Sequence, residues 1–227
     1  MPEPGPGESI YARLQRDQEN LRRRLVIRDD FPELRYIGGA DAAFSPDKRN
    51  VLGVIVVFSY PSLEVVEVRK GLVPVEFPYI PGFLSYREGP VFSRIYGDVV
   101  HKPDVLIFDG QGIAHPRGLG LASHMGLALQ VPTIGCAKSR LVGEYDEPGP
   151  RKGDYSPLYY KGQQVGWVLR SRDSVRPLFV SPGNRVGFES SREIVLACCR
   201  GYRLPEPVRM AHNQVTLLRN SFDTGGG

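Results

Sequence analysis

The chain has 227 residues, 41% of them hydrophobic and 24% charged, which is enough apolar material to fill the core of one sizeable domain. A net charge of +4, a pI near 9.0 and a basic set that is mostly Arg lean towards a polyanionic partner, although an Arg-rich composition equally fits a GC-rich genome. Three cysteines, Cys136, Cys198 and Cys199, two of them adjacent, give neither a disulfide framework nor zinc spacing, and no apolar run approaches the length of a membrane span.

Met1 to Ile10 is Pro/Gly-rich and acidic and lacks the apolar stretch of a signal peptide, so a cytoplasmic protein is expected. Ser9 is read as the N-cap of a helix reaching about Ile27, with Ile10, Leu14, Leu21 and Leu25 as its apolar stripe. Arg13, Arg16 and Arg22 to Arg24 crowd its other faces, read first as a solvated surface and second as a phosphate contact. Three strands follow, Tyr36–Phe44, Val51–Phe58 and Val65–Lys70, joined by connections short enough for an antiparallel meander. Residues Gly71 to Pro90 read as a long irregular loop, and a loop of that length is usually functional.

Val91, Ile95 and Val99 then mark a helix, and Val105–Phe108 a buried strand ending in Asp109. A glycine-rich loop, Gly110–Gly118, leads into a helix around Leu119–Gln130 and a short strand Thr133–Cys136, which together make a parallel crossover unit. Tyr155–Lys161 and Gln164–Arg170 read as a hairpin around Gly162-Gln163, with Leu178–Ser181 a further strand. Two helices close the chain, about Ser191–Cys199 and Pro207–Asn220. The expected fold is α/β: a mixed sheet of antiparallel meander plus parallel strands, flanked by helices. One domain is expected over residues 8–222, with tails at 1–7 and 223–227 expected to be disordered.

Two aspartates stand out. Asp41 sits in a strand pattern between two alanines and after two glycines, where a carboxylate is disfavoured. Taken alone it reads as a satisfied polar residue at a strand end. Asp109 ends an apolar strand, where ligand sites of open α/β sheets lie. Two carboxylates brought close need a cation, and Mg²⁺ takes one or two carboxylates plus phosphate oxygens, so the pair points to a hard-metal site for phosphoryl chemistry. Glu88 adds a third acid and His212 a histidine in the last helix; alone, each reads as solvated or structural. No His spacing supports zinc. The stiff apolar run Pro78 to Gly82 is either a buried turn or a wedge that props bases apart. The glycines at 110, 112, 118 and 120 match neither a dinucleotide fingerprint nor a P-loop.

Several segments, in order, resemble the endonuclease V family: Gly39-Ala40-Asp41, Tyr79 to Glu88, Asp109 to Gly112 with His115-Pro116-Arg117, Gly120 to His124, Pro132 to Lys138, Ser181 to Arg185 and Arg209 to His212. The resemblance spans about residues 10 to 220. It implies a ribonuclease-H-like fold and a Mg²⁺-dependent nuclease of DNA repair, with Mn²⁺ as a substitute, that flips out deoxyinosine. The cut would fall at the second phosphodiester 3′ to the lesion, leaving 3′-OH and 5′-phosphate. Asp41 and Asp109 would ligate the metal, Glu88 would complete the cluster directly or through water, His212 would act on the attacking water and Lys138 on the phosphate charge. Tyr79, Ile80 and Pro81 would form the wedge; Gly82, Leu84, Gly110, His115, Gly120 and Gly135 would line the base pocket; Arg87 and Ser139 would contact phosphates. Asn184 departs from the His that many relatives carry, in a loop read as contacting the nucleic-acid backbone. The expected partner is DNA containing deoxyinosine, bound by a monomer with no membrane contact. An inosine-specific endoribonuclease and a non-catalytic lesion binder on the same fold stay open as alternatives. A sugar or acetate kinase is disfavoured by the lack of paired phosphate-binding hairpins.

Overall fold

The structure, a computed structural model, describes residues 9–223. Eight strands form one mixed sheet: β1 (Tyr36–Phe44), β2 (Asn50–Ser59), β3 (Val65–Pro74), β4 (Val105–Phe108), β5 (Thr133–Ala137), β6 (Tyr155–Tyr160), β7 (Gln163–Leu169) and β8 (Leu178–Asn184). Their order is β3-β2-β1-β4-β5-β8-β7-β6, with β1, β4 and β5 mutually parallel and the remaining pairings antiparallel. This is the meander-then-crossover arrangement expected of a ribonuclease-H-like fold.

Helices α1 (Ile10–Arg22), α2 (Leu84–Gly97), α3 (Leu121–Ala128), α4 (Phe188–Ala197) and α5 (Glu206–Asp223) complete the chain. α2 and α3 pack one face of the sheet, burying Val51, Ile55, Val57, Leu106 and Phe108 with Val91, Phe92 and Met125. α4 and α5 cover the other, where Leu52, Val54, Val56 and Ile107 meet Ile194, Val208 and Val215. Covered on both sides, β2 and β4 read as continuous apolar runs rather than alternating ones. The exposed edge strand β3 carries Glu67, Arg69 and Lys70, charges that discourage pairing with another chain.

Four expectations shift. Ser9 does cap α1, accepting from Ala12 N at 3.2 Å, but the helix ends at Arg22 and not near Ile27, and Ile10 is exposed. Past Arg22 the backbone is drawn away to β8: Asn184 Oδ1 accepts from Val26 N, and Arg185 N donates to Val26 O. Asn184 is therefore buried and bonded internally, with Nδ2 donating to Gly126 O; it does not offer its amide to an outside backbone. The expected loop Gly71–Pro90 is much shorter, because β3 runs to Pro74 and α2 begins at Leu84. Pro90 lies inside α2 on its exposed side, where water can replace the backbone bond it forgoes, and Glu88 is consequently helical. The hairpin turns at Lys161-Gly162, both with positive φ, and Gln163 already pairs with Tyr160. The expected tails 1–7 and 223–227 lie outside the described residues except for Asp223, which ends α5.

Candidate active site

The parallel strands β1 and β4 lie in register from Ile37–Val105 to Ala40–Phe108, and Asp109 N donates to Ala40 O at 3.0 Å. That register brings Asp41, within β1, beside Asp109, just past the end of β4. Gly39 sets the depth of α5: a Cβ there would lie 2.0 Å from Pro207 O, so only glycine lets the start of the helix rest on β1. The close approach delivers His212, whose Nδ1 meets Asp41 Oδ2 at 2.8 Å. Lys138, just past β5, places Nζ 2.5 Å from Asp109 Oδ2. Asp41, Asp109 and His212 each offer a ligand atom within 4.8 Å of the others.

Electrostatics mark this cluster as short of positive charge. Burial, then the charge of Asp109, raises the Asp41 carboxyl above its ordinary value, against the lowering effect of His212. Glu88 projects from α2 and is pushed up to about 8 by burial first, then by Asp41 and Asp109. It stands outside the 4.8 Å group, whereas His212, read from sequence as acting on water, stands inside it. Two hard carboxylate oxygens at this range fit a divalent cation; Lys138 pairs with Asp109, and His212 is hydrogen-bonded to Asp41.

Beside the cluster lies a cavity of about 170 Å³ lined by Gly82, Leu84, Gly110, His115 and Gly120, five of the six expected pocket residues. Tyr79 and Ile80 of the expected wedge form its lip, with Tyr79 68% exposed; Pro81 is exposed in the same loop. Gly135 does not line it. It lies beneath the Gly110–Gly112 turn, where a Cβ would sit 2.2 Å from Gly112 N, and so lets the turn pack on β5. Burial and then the Arg117 charge bring His115 down to about 4, so it is a neutral wall at pH 7. Arg87 packs its guanidinium 4.3 Å from the Phe44 ring and 6.0 Å from that of Tyr79, while its buried Nε has no partner among the described residues. Ser139 is exposed next to Lys138.

Some participants escape sequence reasoning. Gln18 on α1 is fully buried; Nε2 donates to Gly82 O, and its Oε1 accepts from Arg117, which also donates to Gly82 O. These bonds hold the end of the wedge loop. The only signal was spacing, since Gln18 continues the stripe of Leu14, Leu21 and Leu25. Gln111, also lining the cavity, donates through Nε2 to Ser139 O and leaves its buried Oε1 without a partner among the described residues. Arg203 donates to the carbonyl of Lys138 at 2.6 Å and to those of Arg176 and Pro177, fixing the backbone that carries the lysine.

The family model described as Endonuclease V matches residues 19–213. Endonuclease V of Dictyoglomus turgidum is 49% identical over 211 residues, covering 93% of this chain and 92% of that one. The crystal structure of the Bacillus subtilis endonuclease V is similar with a TM-score of 0.91 at 30% identity, covering 96% of each chain. Ciona intestinalis endonuclease V, in complex with a 24mer DNA containing an inosine followed by a ribo-adenosine, has a TM-score of 0.81 at 26% identity, covering 93% of this chain and 98% of that one.

Proposed function

Since the chain belongs to the endonuclease V family, and is thus an endonuclease that hydrolyses phosphodiester bonds, we propose that it is a Mg²⁺-dependent deoxyinosine 3′-endonuclease of DNA repair. The observation that carries this reading is the adjacency of the acidic cluster at Asp41 and Asp109 to a base-sized cavity with an apolar lip. Drug-sized ligands need about 300–1,000 Å³, so the smaller cavity suits a single flipped base.

Asp41 and Asp109 would hold the metal, with Glu88 completing the cluster through water. Bound Mg²⁺, or Mn²⁺ in its place, offsets the charge of the scissile phosphate and makes water more acidic. His212 would contribute as a base: in the neutral tautomer whose Nδ1–H donates to Asp41, Nε2 is the atom that would take a proton from the attacking water. Water oxygen attacks phosphorus, the bond to the 3′ oxygen breaks, and a proton goes to that oxygen, giving 3′-OH and 5′-phosphate. Lys138 supports the phosphate charge, positioned by Arg203. Arg87 and Ser139 flank the site as phosphate contacts.

In the cavity, backbone groups of Gly82, Leu84, Gly110 and Gly120 approach the base closely. Gln111 Oε1 is an acceptor awaiting a donor, and hypoxanthine offers N1–H where adenine offers a lone pair. Tyr79, Ile80 and Pro81 would fill the gap left in the duplex, and a cut at the second phosphodiester 3′ to the lesion fits a pocket and a cluster that are separate sites. The reading takes residues 8–222 as one domain working as a cytoplasmic monomer. Among the described residues no helix is long and apolar enough to cross a membrane.

The test is cleavage of matched DNA and RNA strands carrying one inosine, with Mg²⁺ or EDTA. Product from DNA with Mg²⁺, none with EDTA and none from Asp109→Ala is the expected result. Equal product from Asp109→Ala and wild type would sink the site assignment. The ribo-adenosine beside the inosine in the Ciona complex favours one second reading, inosine in RNA, which preferential cleavage of the RNA strand would establish.

A further inference from the structure

A second cavity, about 330 Å³, opens between the end of α1, the 113–118 turn and the tip of the β6–β7 hairpin. Its lining includes two cations, Arg22 and Lys161, two carboxamides, Gln163 and Gln164, and no carboxylate. Ile27, Ile113, Val165 and Phe188 give it an apolar floor. Cationic walls over an apolar floor suit a nucleotide, with phosphate on the cations and base or sugar on the floor.

The cations are placed by the fold. Gly118 has φ +68, and a Cβ there would come 2.7 Å from Arg22 Nε, so the turn leaves room for the Arg22 side chain to lie across it. Lys161 occupies the first position of the two-residue hairpin turn at φ 52, a conformation that Asn, Asp or Gly adopts more readily. Its Nζ lies 5.2 Å from the Tyr160 ring centroid.

Location selects the occupant. His115 lines both this cavity and the base cavity, whereas Asp41, Asp109, Lys138 and His212 do not line it. The strand leaving the base pocket towards the metal cluster is the 3′ side, since the cut lies 3′ to the flipped base. We propose that this second cavity receives the sugar-phosphate backbone on the 5′ side of the flipped base, with Arg22 and Lys161 contacting its phosphates. This rests on the deoxyinosine 3′-endonuclease reading.

The test uses the full chain and inosine-containing duplexes that are full length, truncated to one nucleotide 5′ of the inosine, or truncated on the 3′ side beyond the cut. Variants are Arg22→Gln, Lys161→Asn and the pair; Asn suits the positive φ, so Lys161→Asn keeps the turn and stays informative if Arg22→Gln misfolds. On the full-length duplex the double variant should lose on the order of tenfold in kcat/KM, mainly through KM, as expected for losing charge-assisted phosphate contacts. The slope of log affinity against log salt should become shallower by about 1.8, for two phosphates. On the 5′-truncated duplex the wild type should fall to the level of the double variant, while 3′ truncation affects both alike. Equal losses on full-length and 5′-truncated duplexes, or an unchanged salt slope, would overturn the inference. A wild type that neither binds nor cuts inosine-containing DNA would instead overturn the parent reading.

Discussion

Substituting Gly39 with Ala tests how the nuclease site is assembled. The new Cβ would lie 2.0 Å from Pro207 O and 2.1 Å from Pro207 C, both backbone atoms with no rotamer to yield, and ordinary contact begins near 3.4 Å. The start of α5 must therefore retreat from β1, taking His212 with it and opening the 2.8 Å bond to Asp41. Overpacking of this kind costs about 1–3 kcal/mol. In a domain of this size that is a fall in Tm of roughly 2–12 °C. A displacement of about 1 Å in a catalytic group costs about a hundredfold in rate, so single-turnover cleavage should fall further than stability alone would lower it. Thermal melts give the first figure, and cleavage well below the new Tm gives the second. Gly38→Ala is the control: its Cβ meets the tip of Leu106 and the ring of Pro103 on the opposite face, so it should lower stability while sparing the chemical rate. Wild-type cleavage by folded Gly39→Ala, or an equal rate loss in Gly38→Ala, would refute the argument that Gly39 sets the depth of α5.

Tyr79→Ala should weaken binding of inosine-containing duplex by about tenfold or more without shifting Tm, because the ring is exposed at the lip and buries little in the free protein; unchanged affinity in a gel-shift titration would remove the wedge. Asp41→Asn should abolish turnover yet keep duplex binding, and in EDTA its Tm should be no lower than wild type. The sign follows from the raised carboxyl: native Asp41 holds its proton more tightly than the unfolded chain, so stability falls as pH rises past the ordinary value of 3.8 until the group is ionised. A clear loss of Tm would make Asp41 structural. Glu67→Gln should lower Tm at pH 7 and converge on wild type in acid. Burial alone would raise Glu67, but donors from the backbones of His101 and Val100, the His101 ring and Arg69 hold it down to about 2. Its contribution is thus complete above 4.5 and lost as pH falls towards about 2; a difference that persists unchanged at pH 2 would rule this out.

What could be read beforehand followed physical range. β1 emerged with its observed ends because nine residues of strand pattern lie between turn signals, and β4 because an unbroken apolar run ends at a charge. The pairing of Asp41 with Asp109 was legible because a carboxylate at the carboxyl end of one strand is placed to meet one projecting from a neighbouring strand. The start of α2 was hidden by Pro90, which reads as a barrier but only forgoes one bond on an exposed face. Gln18 and Arg203 were out of reach because their partners, Gly82 and Lys138, lie 64 and 65 residues away. That Gly135 supports a turn instead of lining the cavity depends on how the 110–112 backbone crosses β5, which spacing does not encode.

The bond between Asp41 and His212 joins residues 171 positions apart. A ribosome therefore releases the first carboxylate long before the helix that carries its partner exists, and no shorter stretch of chain contains both. A growing chain cannot assemble this centre until α5 has emerged and settled on β1. With His212 as the proposed base, cleavage would require the last helix to have docked.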